Sequence, residues 1–377
     1  MTQVETMVVG SELKVRCARS ELVEKLGVVS RGVSTRSAVQ VLSGLQLRAE
    51  GGELALAATD MEMSLRSSLS ADVGSEGTVV VPGRLLVDIA RLLPDADVEL
   101  EHRLGEGLLE VTCGSASYQL HTYSAEDFPR LPEVEGSSTF AVSREAFLDT
   151  VDRVGRSASR DESRPVLTGV LMRFGDGKLT MAATDSYRLA VKESQLSEQV
   201  PELEAIVPAR ALTELAHIAA SGDEIQLGVK ENHVVFGAGD TWLTTRRIDG
   251  QFPDYKQLIP DQFEYSVRLP RGELLDVVRR VAVMAQRNLP LRLRFADGEL
   301  TISARTQDVG EAKESMLAPY TGEPLEIGFN AEFLRDGLES VEADEIELKL
   351  ISPLRPGLIT AGDDDFRYLI MPIRLAG

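Results

Sequence analysis

Residues 177–191 read Gly-Lys-Leu-Thr-Met-Ala-Ala-Thr-Asp-Ser-Tyr-Arg-Leu-Ala-Val, and the chain carries versions of the first nine positions twice more. Residues 52–60 read Gly-Glu-Leu-Ala-Leu-Ala-Ala-Thr-Asp, and residues 298–306 read Gly-Glu-Leu-Thr-Ile-Ser-Ala-Arg-Thr. Each copy is a turn glycine followed by alternating apolar and small residues, the period-two signature of a half-buried strand. Three further elements recur in the same order. Val81-Pro82-Gly83-Arg84-Leu85-Leu86 returns as Val207-Pro208-Ala209-Arg210-Ala211-Leu212 and Phe329-Asn330-Ala331-Glu332-Phe333-Leu334. Its proline suits the first turn of a helix, where a missing N–H costs nothing. Leu22, Val23, Leu26 and Val29 share their spacing with Phe147, Leu148, Val151 and Val154 and with Leu274, Leu275, Val278 and Val281, one buried helix face each. Asp127-Phe128-Pro129 returns as Gln251-Phe252-Pro253, then as Met371-Pro372. Four elements repeated in order at roughly 120-residue spacing make an internal triplication.

Working outward, the first repeat predicts a strand over residues 12–18, then a helix over 20–29 with Ser20 as N-cap. A polar stretch over 30–40 carries Arg31 and Arg36. Strands follow over 41–47, 53–58 and 61–66, then a helix over 82–93 stopped by Pro94, then strands over 98–101, 108–112 and 117–122. The second and third repeats replay this plan. The last helix is expected to be weak, because Gly337 and Ser340 occupy core-facing positions. Boundaries fall where charge, Gly and Ser cluster or where Pro interrupts, giving repeats at 1–135, 136–261 and 262–377. The fold class is α+β: three tandem repeats, each of two amphipathic helices packed on antiparallel sheet.

Bulk properties narrow the function. Apolar content of 43% and charged content of 27% in 377 residues are ordinary for a globular protein. No apolar run reaches the roughly 18–20 residues of a membrane helix, and the start lacks a basic-then-apolar leader, so a cytoplasmic protein is expected. Cys17 and Cys113 read as reduced core thiols. The net charge of −20 argues against a surface coated with nucleic acid, though not against a local basic face. Catalytic motifs are missing: there is no phosphate-binding loop, no nucleophile elbow and no His-Glu-x-x-His. The four histidines stand apart without ligand spacing, and no cofactor or metal is called for. Asp363-Asp364-Asp365 leaves one enzymatic alternative, a metal-dependent phosphoesterase, although the cluster sits where a strand pair needs a polar turn. The helices carry more basic residues than the chain at large, Arg144, Arg153, Arg156 and Arg160 in the second repeat and Arg271, Arg279, Arg280 and Arg287 in the third.

The strings that carry a family likeness are now in hand. They are Ala58-Thr59-Asp60-Met61-Glu62-Met63, Val81-Pro82-Gly83-Arg84, Asp127-Phe128-Pro129 and Ala183-Thr184-Asp185-Ser186-Tyr187-Arg188-Leu189-Ala190-Val191. Val207-Pro208, Asp249-Gly250-Gln251-Phe252-Pro253-Asp254-Tyr255, Gly328-Phe329-Asn330 and Met371-Pro372-Ile373-Arg374-Leu375 complete them. Over nearly the whole chain this resembles the bacterial DNA polymerase III beta subunit family, the sliding clamps. Ser186-Tyr187 departs from the family, which often has Gly-His there.

The resemblance implies a DNA clamp fold, with one chain forming half of a closed ring, helices lining the hole and sheets outside. It implies a non-enzymatic processivity factor: a homodimer around double-stranded DNA, held topologically without sequence specificity, that tethers the DNA polymerase III alpha subunit, the clamp loader and repair proteins through short linear motifs. Arg36, Arg84, Arg91 and Arg210 match inner-face positions, joined on helix spacing by Arg279 and Arg280. The expected peptide cleft combines Thr184, Ser186, Tyr187, Arg188 and Leu189 with Leu167, Pro253 and Leu258. The tail residues Leu369, Met371, Pro372, Ile373 and Arg374 finish it, with Arg188 and Arg374 at the rim. Dimer closure is expected between Tyr118 and the partner's helix end and strand over 283–291, including Val283 and Met284.

Overall fold

A computed structural model describes residues 12–34, 38–132, 139–196, 200–220, 222–230, 232–285, 289–307, 309–362 and 364–375. Its helices are α1 (Arg19–Val29), α2 (Gly83–Leu92), α3 (Arg144–Gly155), α4 (Ala209–Ile218), α5 (Arg271–Ala282) and α6 (Ala331–Glu339). Leu22, Leu26 and Val29 of α1, and Leu274, Val278 and Val281 of α5, are buried as the spacing requires. The N-cap of α1 is Ala18, without a side-chain bond, and Ser20 lies inside the first turn. Only one residue separates strand Lys14–Cys17 from α1, so the helix starts before Ser20 can cap it.

The prolines also act differently from expectation. Pro82, Pro208 and Pro270 are the last residues of their strands and precede the helices. Pro82 and Pro270 hold extended ψ angles of 106° and 114° as N-caps. A ring-fixed φ suits a strand end as well as a helix start, and the ladder there can spare the N–H. The third copy replaces Pro with Asn330, whose Oδ1 accepts from the N–H groups of Glu332 and Phe333. That cap helps to form α6.

A device absent from the sequence reading recurs at the first residue of three helices. Arg19 Nη2 donates to the Arg91 carbonyl at 2.6 Å, at the end of α2. Arg144 donates to the carbonyls of Gly222 and Ala219 beyond α4, and Arg271 to those of Ala343 and Leu338 beyond and within α6. In each repeat the first helix thus satisfies carbonyls left open by the second.

Among the described residues the strands form four sheets, all antiparallel. One has five strands in the order Asp72–Ser75, Lys14–Cys17, Val98–Arg103, Leu108–Cys113, Ala116–His121. The next has eight: Phe140–Ser143, Glu224–Lys230, His233–Ala238, Thr241–Arg246, Met63–Ser70, Glu53–Thr59, Gly44–Glu50, Gly77–Pro82. Another eight run Leu203–Pro208, Gly169–Gly175, Lys178–Thr184, Arg188–Gln195, Asp364–Ile370, Gly357–Ala361, Glu345–Leu350, Tyr265–Pro270. The last has four: Gly310–Leu317, Glu299–Thr306, Pro290–Ala296, Leu325–Asn330. Each eight-stranded sheet therefore joins two repeats through one ladder.

Those ladders set the compact units, which cut through the second repeat. One comprises residues 1–144 and 214–247, the other 145–213 and 248–377. Cys17 and Cys113 lie buried and free at strand ends in the first unit.

Candidate partner-peptide cleft and nucleic-acid face

The candidate cleft lies entirely in the second unit and begins at a turn. Thr184 Oγ1 donates to the Arg188 carbonyl at 2.7 Å and accepts from the Ser186 N–H. Asp185 Oδ1 accepts from the N–H groups of Tyr187 and Arg188. Ser186 takes φ 80°, an uncommon conformation for a non-glycine residue that these bonds hold in place. The turn leaves Tyr187 62% exposed while burying Leu189.

Arg188 is not the rim group expected from sequence. It is 8% exposed, paired with Asp185 at 3.1 Å and Asp336 of α6 at 2.5 Å, and sits 4.4 Å over the Phe333 ring. Burial opposes its charge, yet Tyr368, Asp336 and Asp185 outweigh that and raise its pKa. Burial likewise pushes the Tyr368 hydroxyl up, against the opposing pull of Arg188. Such a cation positions the turn from beneath; it has no free donor fork to offer a ligand.

The floor is an apolar patch on the eight-stranded sheet. Leu189 pairs across the ladder with Leu369, and Leu369 with Leu358. Leu171, Val191, Ile206 and Phe252 extend the cluster. Val166, Ile248, Tyr255, Ile259 and Phe263 pack against it while still partly exposed. Leu167 is half-buried, and Pro253 and Leu258 are exposed beside this wall. Tail residues are tied down twice: the Met371 N–H donates to the Tyr187 carbonyl and the Ile373 N–H to the Gly328 carbonyl, both at 2.8 Å. Gly328 is needed there, since a Cβ would come within 2.6 Å of the Leu375 side chain. Met371 is 40% exposed, Pro372 and Ile373 are half-buried and Arg374 is exposed.

Sequence reasoning missed Arg164, Tyr255, Ile259 and Phe263. Arg164 Nη1 donates to Ser186 Oγ at 3.0 Å and its Nε to Asp161, bracing the turn from the side. The signal for Tyr255, Ile259 and Phe263 was present: apolar residues recur through residues 248–263, where the only regular element is the short 3-10 turn Tyr255–Leu258 after Pro253.

The arginines proposed to meet DNA divide. Arg84 and Arg91 stand seven residues apart on one side of α2, exposed and without an acidic partner among the described residues. Arg210 is exposed at the start of α4. Arg36 lies outside the described residues. Arg279 pairs with Glu339 at 2.9 Å, and Arg280 makes a forked bond to Glu314 with a shortest contact of 2.7 Å. Spacing alone did not show that acids from neighbouring elements, Glu339 and Glu314, pair with both cations of the third repeat. Much of the basic excess elsewhere is used the same way: Lys25 pairs with Asp240, Arg31 with Glu214 and Arg156 with Glu339.

Tyr118 lies on the edge strand of the five-stranded sheet and is 41% exposed. Val283 is exposed past the end of α5, and Met284 is half-buried, its carbonyl accepting from Thr306 Oγ1. The strand holding Leu291 is flanked on both sides, so it has no edge to give. The open edge nearest Met284 is Gly310–Leu317, whose Gly310 lies against the Met284 side chain.

Comparisons with known proteins agree with this architecture. Models of the DNA polymerase III beta subunit match its N-terminal domain at residues 13–132, its central domain at 141–254 and its C-terminal domain at 256–374. The chain belongs to this family, the bacterial sliding clamps. It is 36% identical to the beta sliding clamp of Streptomyces coelicolor, covering 97% of this chain and 100% of that one. The Caulobacter crescentus beta sliding clamp, solved with PEG bound, superposes with a TM-score of 0.92 at 31% identity, covering 97% of this chain and all of the other. The Pseudomonas aeruginosa clamp bound to griselimycin gives 0.89 at 30%, covering 97% and 100%.

As a sliding clamp the chain is a DNA polymerase processivity factor and a non-catalytic subunit, with DNA and replication proteins as its partners. That overturns the phosphoesterase alternative. Asp363 lies outside the described residues, Asp364 is the first residue of strand Asp364–Ile370, and no group of three metal-binding side chains occurs among the described residues. No helix among them is long and apolar enough to cross a membrane.

Proposed function

We propose that two copies of this chain pair head to tail into a closed ring around duplex DNA. The ring slides and tethers the DNA polymerase III alpha subunit, the clamp loader and other replication and repair proteins through short peptides bound in the cleft. On this reading the repeats span residues 1–135, 136–261 and 262–377, and a cytoplasmic location follows from the role.

The observation that supports ring closure is the order of the ladders. Strand Thr241–Arg246 of the second repeat pairs with Met63–Ser70 of the first. Their counterparts, Asp364–Ile370 of the third and Arg188–Gln195 of the second, pair in the same way. The remaining counterparts, Ala116–His121 and Gly310–Leu317, are both sheet edges. A third ladder of the same kind can form only between two copies, and a two-fold pair satisfies both edges at once.

The cleft suits an extended peptide with apolar anchors. Burying one Leu and one Phe gives roughly 3–6 kcal/mol before ordering costs, which fits micromolar affinity. Arg84, Arg91, Arg210 and Arg36 would touch phosphates without reading bases, and topology would do the holding. Sedimentation and plasmid retention test the reading together. A species of twice 41.1 kDa that, once loaded, stays on closed circular DNA and leaves when the DNA is linearised is expected. A monomer at micromolar concentration would rule the ring out.

A further inference from the structure

The first unit contains a cavity of about 560 Å³ at the position that corresponds, through the internal repeat, to the peptide cleft of the second. The correspondence is local and detailed. Met61 takes φ 78° as Ser186 takes 80°, and Thr59 and Asp60 bond the turn as Thr184 and Asp185 do. The Arg246 N–H donates to the Glu62 carbonyl, matching Met371 and Tyr187. In the ladders, Ser64 faces Thr244 and Thr244 faces Val235, where the cleft has Leu189, Leu369 and Leu358.

What differs is the chemistry. The apolar floor has become partly hydroxylic, and Arg130, Lys230 and Arg246 line the cavity. All three are exposed, and none has an acidic partner among the described residues. Glu62 is the one acid in the lining. In a chain with 60 acidic residues against 40 basic, three unneutralised cations around one cavity point to a ligand of opposite sign. Apolar groups remain at Met61, Met63, Leu131 and Val235, and the lining holds no Phe, Tyr or Trp platform for a nucleic-acid base, the His233 imidazole being its one ring.

We propose that this cavity is a second docking site on each subunit, taking an acidic linear peptide that carries at least one aliphatic side chain. The proposal rests on the cleft reading for its architecture and on its own cations for its specificity.

The test uses the full-length protein and a fluorescein-labelled peptide of four acidic residues around one leucine, read by fluorescence anisotropy at low salt. Controls are the same peptide with lysines for the acids, an oligothymidine of equal charge, and an apolar Leu/Phe peptide for the cleft. Binding of the acidic peptide is expected to weaken roughly tenfold or more in a Lys230→Glu, Arg246→Glu double variant, and again in Arg130→Glu. The apolar peptide should bind the double variant as it binds the intact chain, and the lysine peptide should not bind at all. Deleting residues 371–377 should remove the apolar peptide and spare the acidic one, so failure of the cleft reading and failure of this proposal give different patterns. Equal binding of the acidic peptide to intact and double-variant protein would overturn the proposal. So would oligothymidine that binds more tightly and displaces the peptide, which would make the cavity a nucleic-acid site.

Discussion

Arg188, Arg84 and Arg280 look alike in the sequence, each an arginine beside apolar residues, yet folding gives them different fates. Arg188 is held between two carboxylates beneath the cleft turn, so removing it takes the cation from Asp185 and leaves Asp336 only the longer 3.4 Å contact with Arg335, both at low exposure. An Arg188→Ala chain should lose about 3 kcal/mol of stability, read from urea unfolding. Cys17 makes a prediction about pH. Burial first, then the charges of Glu21 and Asp97, push its thiol up to about 12 from an ordinary 9.0. A raised pKa means its contribution to stability is intact below the unfolded pKa and lost as pH rises toward the folded one. Between pH 9 and 11 the native chain should therefore lose stability faster than a Cys17→Ala chain, by about 1 kcal/mol at pH 10. Alkaline urea titrations of the two proteins would show parallel declines if this is wrong.

At the scale of elements, α6 reverses a sequence expectation. Gly337 does not weaken the helix by mischance: a Cβ there would meet the Tyr368 ring at 2.5 Å. Gly337→Ala should destabilise the chain by about 1–3 kcal/mol despite alanine's better helix propensity, visible as a lower melting temperature. The Tyr368 hydroxyl donates to the Phe333 carbonyl, so the same contact fixes α6 against the strand that enters the tail. That tail is held by backbone bonds from Met371 and Ile373. Deleting residues 371–377 should abolish binding of the apolar peptide and leave the dimer's sedimentation unchanged. Persistence of peptide binding would place the site elsewhere.

For the whole molecule the edges and the free cations decide. Tyr118 lies on one open edge, and Leu317, at 81% exposure, ends the other. Tyr118→Ala or Leu317→Asp should shift the chain toward monomer at nanomolar concentration in analytical ultracentrifugation, since the first removes contact area from the edge pairing and the second places a charge where pairing would bury it. Arg84→Ala with Arg91→Ala should weaken DNA contact equally across sequences and flatten the salt dependence of log affinity by up to roughly two phosphate contacts' worth. Because Arg279 and Arg280 are already paired with Glu339 and Glu314, replacing them should change that slope far less.

The sequence by itself determined the triplication, the α+β class and the buried helix faces at Leu22 to Val29 and Leu274 to Val281. All of these are local or periodic, written in spacings of a few residues and repeated at a fixed interval. It also carried the family strings that led to the clamp. Tertiary structure decided which arginines stay free, because ion pairs such as Arg188–Asp336 and Arg280–Glu314 join residues far apart in the chain. It decided as well which strands are edges: Leu291 and Leu317 both sit in stretches that read as strand, and only the order of strands in the sheet covers one and leaves the other open. Pairing order and charge neutralisation depend on neighbours in space, and spacing along the chain does not encode them.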